Sequence, residues 1–295
     1  MQWEDLVQCY RADQQARCLS AGTVKVNFDR LSLLVSYLIS CQITPERITT
    51  QHFRNYIASK CGNNSPETIG GKIRTFKAFW TALIKMDLWN AGNNPTVGLS
   101  KPKVGVSLRK TISPAQFEVI LNSCDRREFL GHRNYVLLLL LWDAMIRRAE
   151  IAGLRLGDLY LTDKRIKVTG KNSKTRLVPI SDKTVKALRI FLTKHCGDKA
   201  PSDHLFTAQN GSLLSLIHIR QICQRQAAKV KIKIGCHILR HSSATEYLRL
   251  GGQLPLLSQI LGHADISTTM IYTHLIIDDA VKSYQQFSPL SNVRV

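Results

Sequence analysis

Residues 236–274 contain three short runs in a fixed order: Cys236-His237-Ile238-Leu239-Arg240-His241, then Leu261-Gly262-His263, then Ile271-Tyr272-Thr273-His274. Arginine offers paired donors to a phosphate, histidine can move protons, and the phenol of tyrosine can form a covalent ester. These groups allow a protein to break a DNA strand without a metal ion. We therefore expect the rest of the chain to supply another arginine, a lysine and a surface that holds DNA.

Helical spacing brings two of these groups together. His237 and Arg240 are three residues apart, which places them on one face of a helix. An isolated pair of this kind is more typical of a protein surface, and an isolated Tyr272 is more typical of a packing residue. A second apolar helix ends at Gly262, so His263 alone is also typical of a helix cap. The combination of all of them favours catalysis.

The charge of the chain indicates a polyanionic partner. Its 295 residues include 41 Lys+Arg against 21 Asp+Glu, a formal net charge of +20. Nucleic acid neutralises such an excess, and an anionic membrane surface is the alternative. The longest apolar run, residues 135–142, is far shorter than the roughly 20 residues of a membrane span. Acidic residues stand near the N-terminus, where a secretory signal carries cations. We expect a cytoplasmic, nucleoid-associated protein with no membrane partner.

The eight cysteines are predicted to be free thiols. They form no Cys-x-x-Cys pair and no matching Cys/His set of metal ligands. A chain of this size needs no covalent cross-links, and most of the cysteines have apolar neighbours. We therefore expect buried thiols in a reducing cytoplasm, and neither a metal nor another cofactor.

Residues 1–92 have helical patterns throughout and predict a helical core DNA-binding domain. Ser65-Pro66 is typical of a helix start, with proline in the first turn. The helix that follows carries cations outside its apolar stripe, namely Lys72, Arg74 and Lys77. They are either a solvated surface or a surface that faces DNA.

Residues 93–111 predict a basic linker, because they hold two prolines, four cations and no acid. Its cations can lie along a phosphate backbone, and they are Lys101, Lys103, Arg109 and Lys110.

Residues 112–295 predict a third segment of mixed structure. Helices are expected from Ser113-Pro114, over 133–144 and from about Arg148. The period then changes to that of strands at 165–169 and 175–179, separated by a turn at 170–174. Helical patterns resume at Asp182.

The run His-x-x-Arg, Leu-Gly-His and Tyr resembles the C-terminal motif of the tyrosine recombinases, or phage integrase family, and the resemblance covers nearly the whole chain. It implies a mainly α fold, with a SAM-like helical N-terminal domain and a mixed α+β catalytic domain with a small antiparallel sheet. The family's first arginine matches Arg147, followed by Glu150. Met145 stands where glycine is usual, so the turn is either built differently or Arg148 shares the task. The family's hairpin lysine matches Lys171 in Gly170-Lys171-Asn172-Ser173-Lys174-Thr175-Arg176.

The resemblance implies a role for each matched residue. Arg147 and Arg240 would grip the nonbridging oxygens, and His263 would donate another hydrogen bond. His237 would assist proton transfer, Lys171 would protonate the departing 5′-oxygen, and Glu150 would support the site. Tyr272 would form a 3′-phosphotyrosine bond that conserves the energy of the broken bond, so religation needs no ATP. The resemblance implies no metal. The solvated-surface interpretation stays open for each arginine and for the turn lysine.

The implied function is site-specific DNA recombination through a four-way junction, in the manner of compact Xer-like and transposon-borne enzymes. The implied partner is double-stranded DNA with an inverted-repeat core site, bound by a homotetramer on two paired sites. The tail, residues 275–287, either docks on a neighbouring protomer or packs on its own core. Two alternatives are a DNA-binding architectural factor with a degenerate site and a type IB topoisomerase.

Overall fold

The computed structural model describes residues 1–102, 110–170, 174–197, 199–263, 265 and 268–270. The chain forms two compact units that divide between residues 107 and 108. The division between the two units falls within the predicted linker, residues 93–111.

The described part of the first unit is helical, as the sequence predicts. Its helices are α1 (Trp3–Ala16), α2 (Ala21–Ser40), α3 (Thr50–Cys61) and α4 (Pro66–Lys85), with 3₁₀ turns at Pro45–Arg47 and Ala91–Asn93. Ser65 caps α4 by accepting a hydrogen bond from the backbone N–H of Thr68 at 3.3 Å. Proline follows in the first turn, where its missing N–H costs nothing.

Aromatic rings fill the core of the first unit. Trp80 is fully buried and meets Phe53 and Phe79 edge-to-face, with ring centroids 5.1 and 4.6 Å apart. Such pairs add stability beyond the burial of their area. Leu99, from the predicted linker, is also buried in this core.

The predicted DNA-facing cations of α4 differ in their exposure. Arg74 and Lys77 are exposed, whereas Lys72 is buried beneath the surface with its ammonium 5.5 Å from the Tyr56 ring. Burial, together with the nearby charges of Lys60 and Arg30, lowers the pKa of Lys72. Helical spacing places Lys72 outside the apolar stripe of α4, but it carries no information about α3, whose Tyr56 packs against this side chain.

The second unit packs seven helices and a small sheet in its described part. The helices are α5 (Pro114–Asn122), α6 (Phe129–Asp143), α7 (Arg148–Gly153), α8 (Asp182–His195), α9 (Leu216–Lys229), α10 (Cys236–Arg249) and α11 (Leu254–Leu261). Helix α6 lies at the centre and is buried on most of its sides, which accounts for its long apolar run. It starts at Phe129, four residues before the predicted start.

The sheet is antiparallel in the order β1–β2–β3, with strands Leu159–Tyr160, Arg165–Thr169 and Thr175–Pro179. The pairing of β2 and β3 runs from Arg165 opposite Pro179 to Thr169 opposite Thr175. Ile166, Val168 and Val178 point into the core. This register confirms the two predicted strands and brings β3 to the end of α11.

The cysteines divide into two groups. Four are buried thiols, all in the second unit: Cys124, Cys196, Cys223 and Cys236. Cys18, Cys41 and Cys61 are exposed, so the expectation of burial is wrong for these three. They follow or end helices of a small domain, where apolar neighbours in sequence do not ensure burial. In the part of the chain that the structure describes, no helix is long and apolar enough to cross a membrane.

Candidate active site

A sharp turn between α6 and α7 places the first predicted arginine. Met145 has φ of +50°, a left-handed conformation that favours glycine. The side chain is nonetheless buried against Ala244, Leu257 and Leu261. The turn therefore keeps the geometry that glycine permits, and packing offsets the backbone strain.

Arg147 precedes α7 and is anchored on two sides. Its guanidinium donates to Glu150 Oε1 at 3.0 Å and to the carbonyl of Gly262 at 3.2 Å. The backbone N–H of Arg147 also donates to Glu150 Oε2 at 2.7 Å. These two side-chain bonds use two of the five N–H donors of a guanidinium.

Glu150 is the buried anion beneath the site. Its carboxylate accepts two parallel hydrogen bonds from Arg176, Nη1 to Oε1 at 2.7 Å and Nη2 to Oε2 at 3.0 Å. Burial by itself raises the pKa of Glu150, but the bonds from Arg176 and Arg147 more than offset it, so the pKa is lowered. Glu150 is thus ionised at neutral pH and supports both arginines.

Arg176 joins the sheet to the end of α11. Its Nε donates to the carbonyl of Ile260 at 2.8 Å. The next turn is closed by Gly262, with φ of +63°, where an added Cβ would lie 3.0 Å from the Arg176 guanidinium. Both the conformation and the close approach require glycine here.

Arg240 is buried in α10 and held by backbone carbonyls. It donates to the carbonyl of Met145 and, at 2.8 Å, to the carbonyl of Leu261. The two arginines predicted to grip a phosphate are therefore attached to the same two turns, after α6 and after α11.

His263 follows Gly262 and is a neutral imidazole. Its Nδ1 lies 2.8 Å from the hydroxyl of Thr269. Burial, and then the positive charges of Arg240, Arg147 and Arg176, lower its pKa to about 4. This hydrogen bond is compatible with either tautomer of the ring, and in the one whose Nδ1 accepts from the Thr269 hydroxyl the proton sits on Nε2, which is then a hydrogen-bond donor.

Arg147, Arg240 and His263 line one cleft of about 740 Å³. Its walls carry Arg147, Arg148, Arg220, Arg240, His237 and His263, and among its described lining residues there is no acid. His237 is exposed at the N-terminal end of α10, one turn before the buried Arg240. Fixed donors of one charge sign around a concave surface suit a phosphate or another oxyanion.

The structure thus brings together Arg147, His237, Arg240 and His263, four of the six residues predicted to be catalytic. Lys171 and Tyr272 lie outside the described residues. Among the predicted DNA contacts, Lys101 and Lys110 are exposed, and Lys103 and Arg109 lie outside the described residues.

The sequence patterns predicted no role for Arg176 or Arg220. Arg176 could have been found, because the period of β3 places it on the same face as the buried Val178. Arg220 lies on α9 and carries no comparable local pattern.

The family model for the "Phage integrase family" matches residues 110–277, more than half of the chain. The chain is 30% identical to tyrosine recombinase XerC of Pseudomonas syringae pv. syringae, over 92% of each protein.

Two solved structures share the fold. The XerH site-specific recombinase bound to palindromic difH substrate has a TM-score of 0.74 at 21% identity, over 92% of this chain and 81% of that one. The Tn1549 transposon integrase in complex with transposon right end DNA has a TM-score of 0.75 at 19% identity, over 97% of this chain and 99% of that one. Likeness at these identities establishes the fold, mainly α with a small antiparallel sheet.

Proposed function

This chain belongs to the phage integrase family and is a site-specific tyrosine recombinase; on that premise we propose that its basic cleft cleaves and rejoins DNA through a covalent bond to Tyr272. The observation that carries this proposal is the convergence of Arg147, Arg240 and His263 on one cleft free of acids among its described lining residues.

Charge stabilisation is the first task of the cleft. As a nucleophile attacks phosphorus, negative charge gathers on the two nonbridging oxygens. Arg147 and Arg240 are held by carbonyls and by Glu150, so they are oriented before DNA arrives. Donors fixed in advance need no reorganisation during the reaction, and removing one typically costs about 10²–10³ in rate.

His263 contributes a hydrogen bond without a full charge. Its pKa of about 4 keeps the ring neutral, so Nε2–H is available to a nonbridging oxygen. His237 stands at the rim of the same cleft and assists the transfer of the proton that the tyrosine must lose.

The bond changes follow from these positions. The phenolic oxygen of Tyr272 loses its proton and attacks phosphorus, and the bond to the 5′-oxygen breaks. Lys171 gives its proton to that 5′-oxygen. The products are a 3′-phosphotyrosine ester and a free 5′-hydroxyl, and the reverse steps join a new 5′-hydroxyl. The ester conserves the energy of the broken bond, so religation needs no ATP. The arginines supply the positive charge for this chemistry, so the proposal includes no metal.

The partners follow from the charge and from the relatives. The XerH relative acts on a palindromic substrate and the Tn1549 integrase binds DNA, which supports double-stranded DNA with an inverted-repeat core site. Exposed cations at Arg74, Lys77, Lys101 and Lys110 would contact its phosphates. Lys72, although buried, joins this set only by moving its ammonium outward. Two paired sites would hold four protomers, joined through the tail, on DNA in the cytoplasm.

A suicide substrate tests the proposal. A core site nicked close to the scissile phosphate loses its short 5′-ended strand after cleavage, so the covalent protein–DNA adduct accumulates. We expect an adduct with the natural protein and none with Tyr272→Phe, while both bind DNA equally. Tyr160→Phe, which changes an exposed tyrosine on β1, is the matched control and should keep the adduct. Binding without any adduct would instead identify an architectural DNA-binding factor.

A further inference from the structure

Two cysteines meet in the wall of the active-site cleft. Cys223 lies in the middle of α9 and is completely buried, and Cys236 is the first residue of α10. Their sulfur atoms are 3.2 Å apart and share a hydrogen bond. The four buried cysteines include no other such thiol–thiol contact among the described hydrogen bonds.

Cys236 borders the cleft and is 8% exposed, whereas Cys223 does not line it and is fully buried. The lining of the cleft includes Cys236 together with its neighbours Gly235 and His237. A small molecule that enters the cleft therefore meets Cys236 before Cys223, and a local opening at the start of α10 would bring it to the buried sulfur of Cys236.

The surroundings make Cys236 the more acidic thiol. The hydrogen bond that the two thiols share is the main cause that lowers the pKa of Cys236, and the charges of Arg148 and Arg220 add to it against the effect of burial. The same contact and its own burial raise the pKa of Cys223. Since the thiolate is the reactive form, Cys236 is the sulfur that reacts with an oxidant.

We propose that Cys223 and Cys236 form an oxidisable pair whose disulfide switches DNA cleavage off. The inference rests on the proposed function, because it concerns the same cleft.

A hydroperoxide is the oxidant that fits, since it is small enough to enter. The Cys236 thiolate attacks one peroxide oxygen, the O–O bond breaks, and Cys236 becomes a sulfenic acid while the other oxygen leaves and takes up a proton as water. The Cys223 sulfur then attacks the sulfenic sulfur, loses its proton and releases a second water. In sum, two thiols and one hydrogen peroxide give one disulfide and two waters.

The disulfide would disturb the phosphate site through α10. A sulfur–sulfur bond is about 2.05 Å long, so the two atoms must approach by more than about 1 Å. Cys236 precedes His237 directly and shares its helix with Arg240, whose bonds to two turns fix the cleft. A displacement of about 1 Å at a catalytic group can cost about 10²-fold in rate.

The test compares three forms of the full-length protein treated with hydrogen peroxide. Disulfide formation is scored by peptide mass spectrometry, and adduct formation by the nicked substrate. We expect a Cys223–Cys236 cross-link in the natural protein, a fall of adduct rate by about 10–100-fold, and recovery after dithiothreitol. Cys223→Ser keeps a hydrogen-bonding group beside Cys236 and should stay active after peroxide. Cys196→Ala removes a buried thiol elsewhere in the unit and should stay as sensitive as the natural protein.

The outcomes separate the two proposals. The switch is overturned if no cross-link forms, or if the cross-linked protein cleaves as fast as the protein with free thiols. Either result leaves the proposed recombinase chemistry intact. If Cys223→Ser loses activity to peroxide as the natural protein does, the loss has another origin and the switch is overturned. If the reduced protein forms no adduct, the proposed cleavage chemistry fails, and with it the regulation of cleavage, whatever the mass spectrum shows.

Discussion

Replacing Glu150 by glutamine tests whether one buried carboxylate organises the catalytic arginines. The substitution keeps the shape of the side chain but removes the charge that Arg176 and Arg147 share. The Glu150 side chain is 1% exposed and that of Arg176 is 17% exposed, so the unpaired guanidinium gains little from water.

Leaving one member of a buried ion pair uncompensated costs about 3–5 kcal/mol. Arg147 is far more exposed, at 42%, and its share is reduced by solvent screening. We therefore expect Glu150→Gln to lower the free energy of unfolding of the second unit by about 2–4 kcal/mol. The rate of adduct formation should also fall, because Arg147 and Arg176 would share one neutral amide oxygen in place of a carboxylate, and Arg147 would be held mainly by the Gly262 carbonyl.

Urea unfolding should be followed by hydrogen exchange in peptides of the second unit, because the two units need not unfold together. Asp182→Asn is the matched control. Lys164 Nζ lies 2.8 Å from Asp182 Oδ1, nearly the same distance as the 2.7 Å between Arg176 Nη1 and Glu150 Oε1. The side chains of Lys164 and Asp182, however, are largely exposed. We expect no resolvable change from the control. Equal effects of the two substitutions would refute the argument, since burial is the property that separates the pairs.

Three further predictions concern the turns around the cleft. Met145→Gly should relieve about 1 kcal/mol of strain at φ +50° but lose a buried side chain worth about 2–5 kcal/mol, so urea unfolding should show net destabilisation. Gly262→Ala should destabilise by about 1–2 kcal/mol and slow adduct formation, because its Cβ would press on an Arg176 guanidinium that Glu150 and Ile260 hold fixed; unchanged kinetics would contradict this. His263, with its pKa lowered to about 4, should make stability fall as pH drops from about 6.5 to 4, since the unfolded chain takes up the proton first. Over that pH range the free energy of unfolding of the natural protein should fall by about 1–2 kcal/mol more than that of His263→Gln, after allowance for partial exposure. If the two free energies of unfolding differ by the same amount at every pH, the assignment is contradicted.

The sequence predicted the elements well where local patterns are strong. The strands at 165–169 and 175–179 and the helix stop at Gly262 are confirmed residue for residue. Alternation, proline in the first turn and glycine after the last turn are local signals, because each depends on the backbone geometry of a few neighbouring residues. The charge and the order of the motifs likewise predicted the family.

Local patterns were insufficient where burial depends on a distant element. Lys72 lies outside the apolar stripe of α4, yet α3 covers it. Exposed cysteines follow helices in the first unit although their neighbours are apolar. In both cases the deciding contacts come from another segment, which no period within the helix encodes.

The sequence by itself determined which residues are available for phosphate chemistry, since arginines, histidines and a tyrosine in that order suit little else on so basic a chain. The tertiary structure decided how they are held. Arg240 reaches the carbonyl of Met145 across 95 positions, and Arg176 reaches Ile260 across 84. The carboxylate of Glu150 meets Arg176 from 26 positions away. Such bonds exist only after α6, α10, α11 and the sheet have packed around one core, because burial is what fixes their geometry and gives them strength.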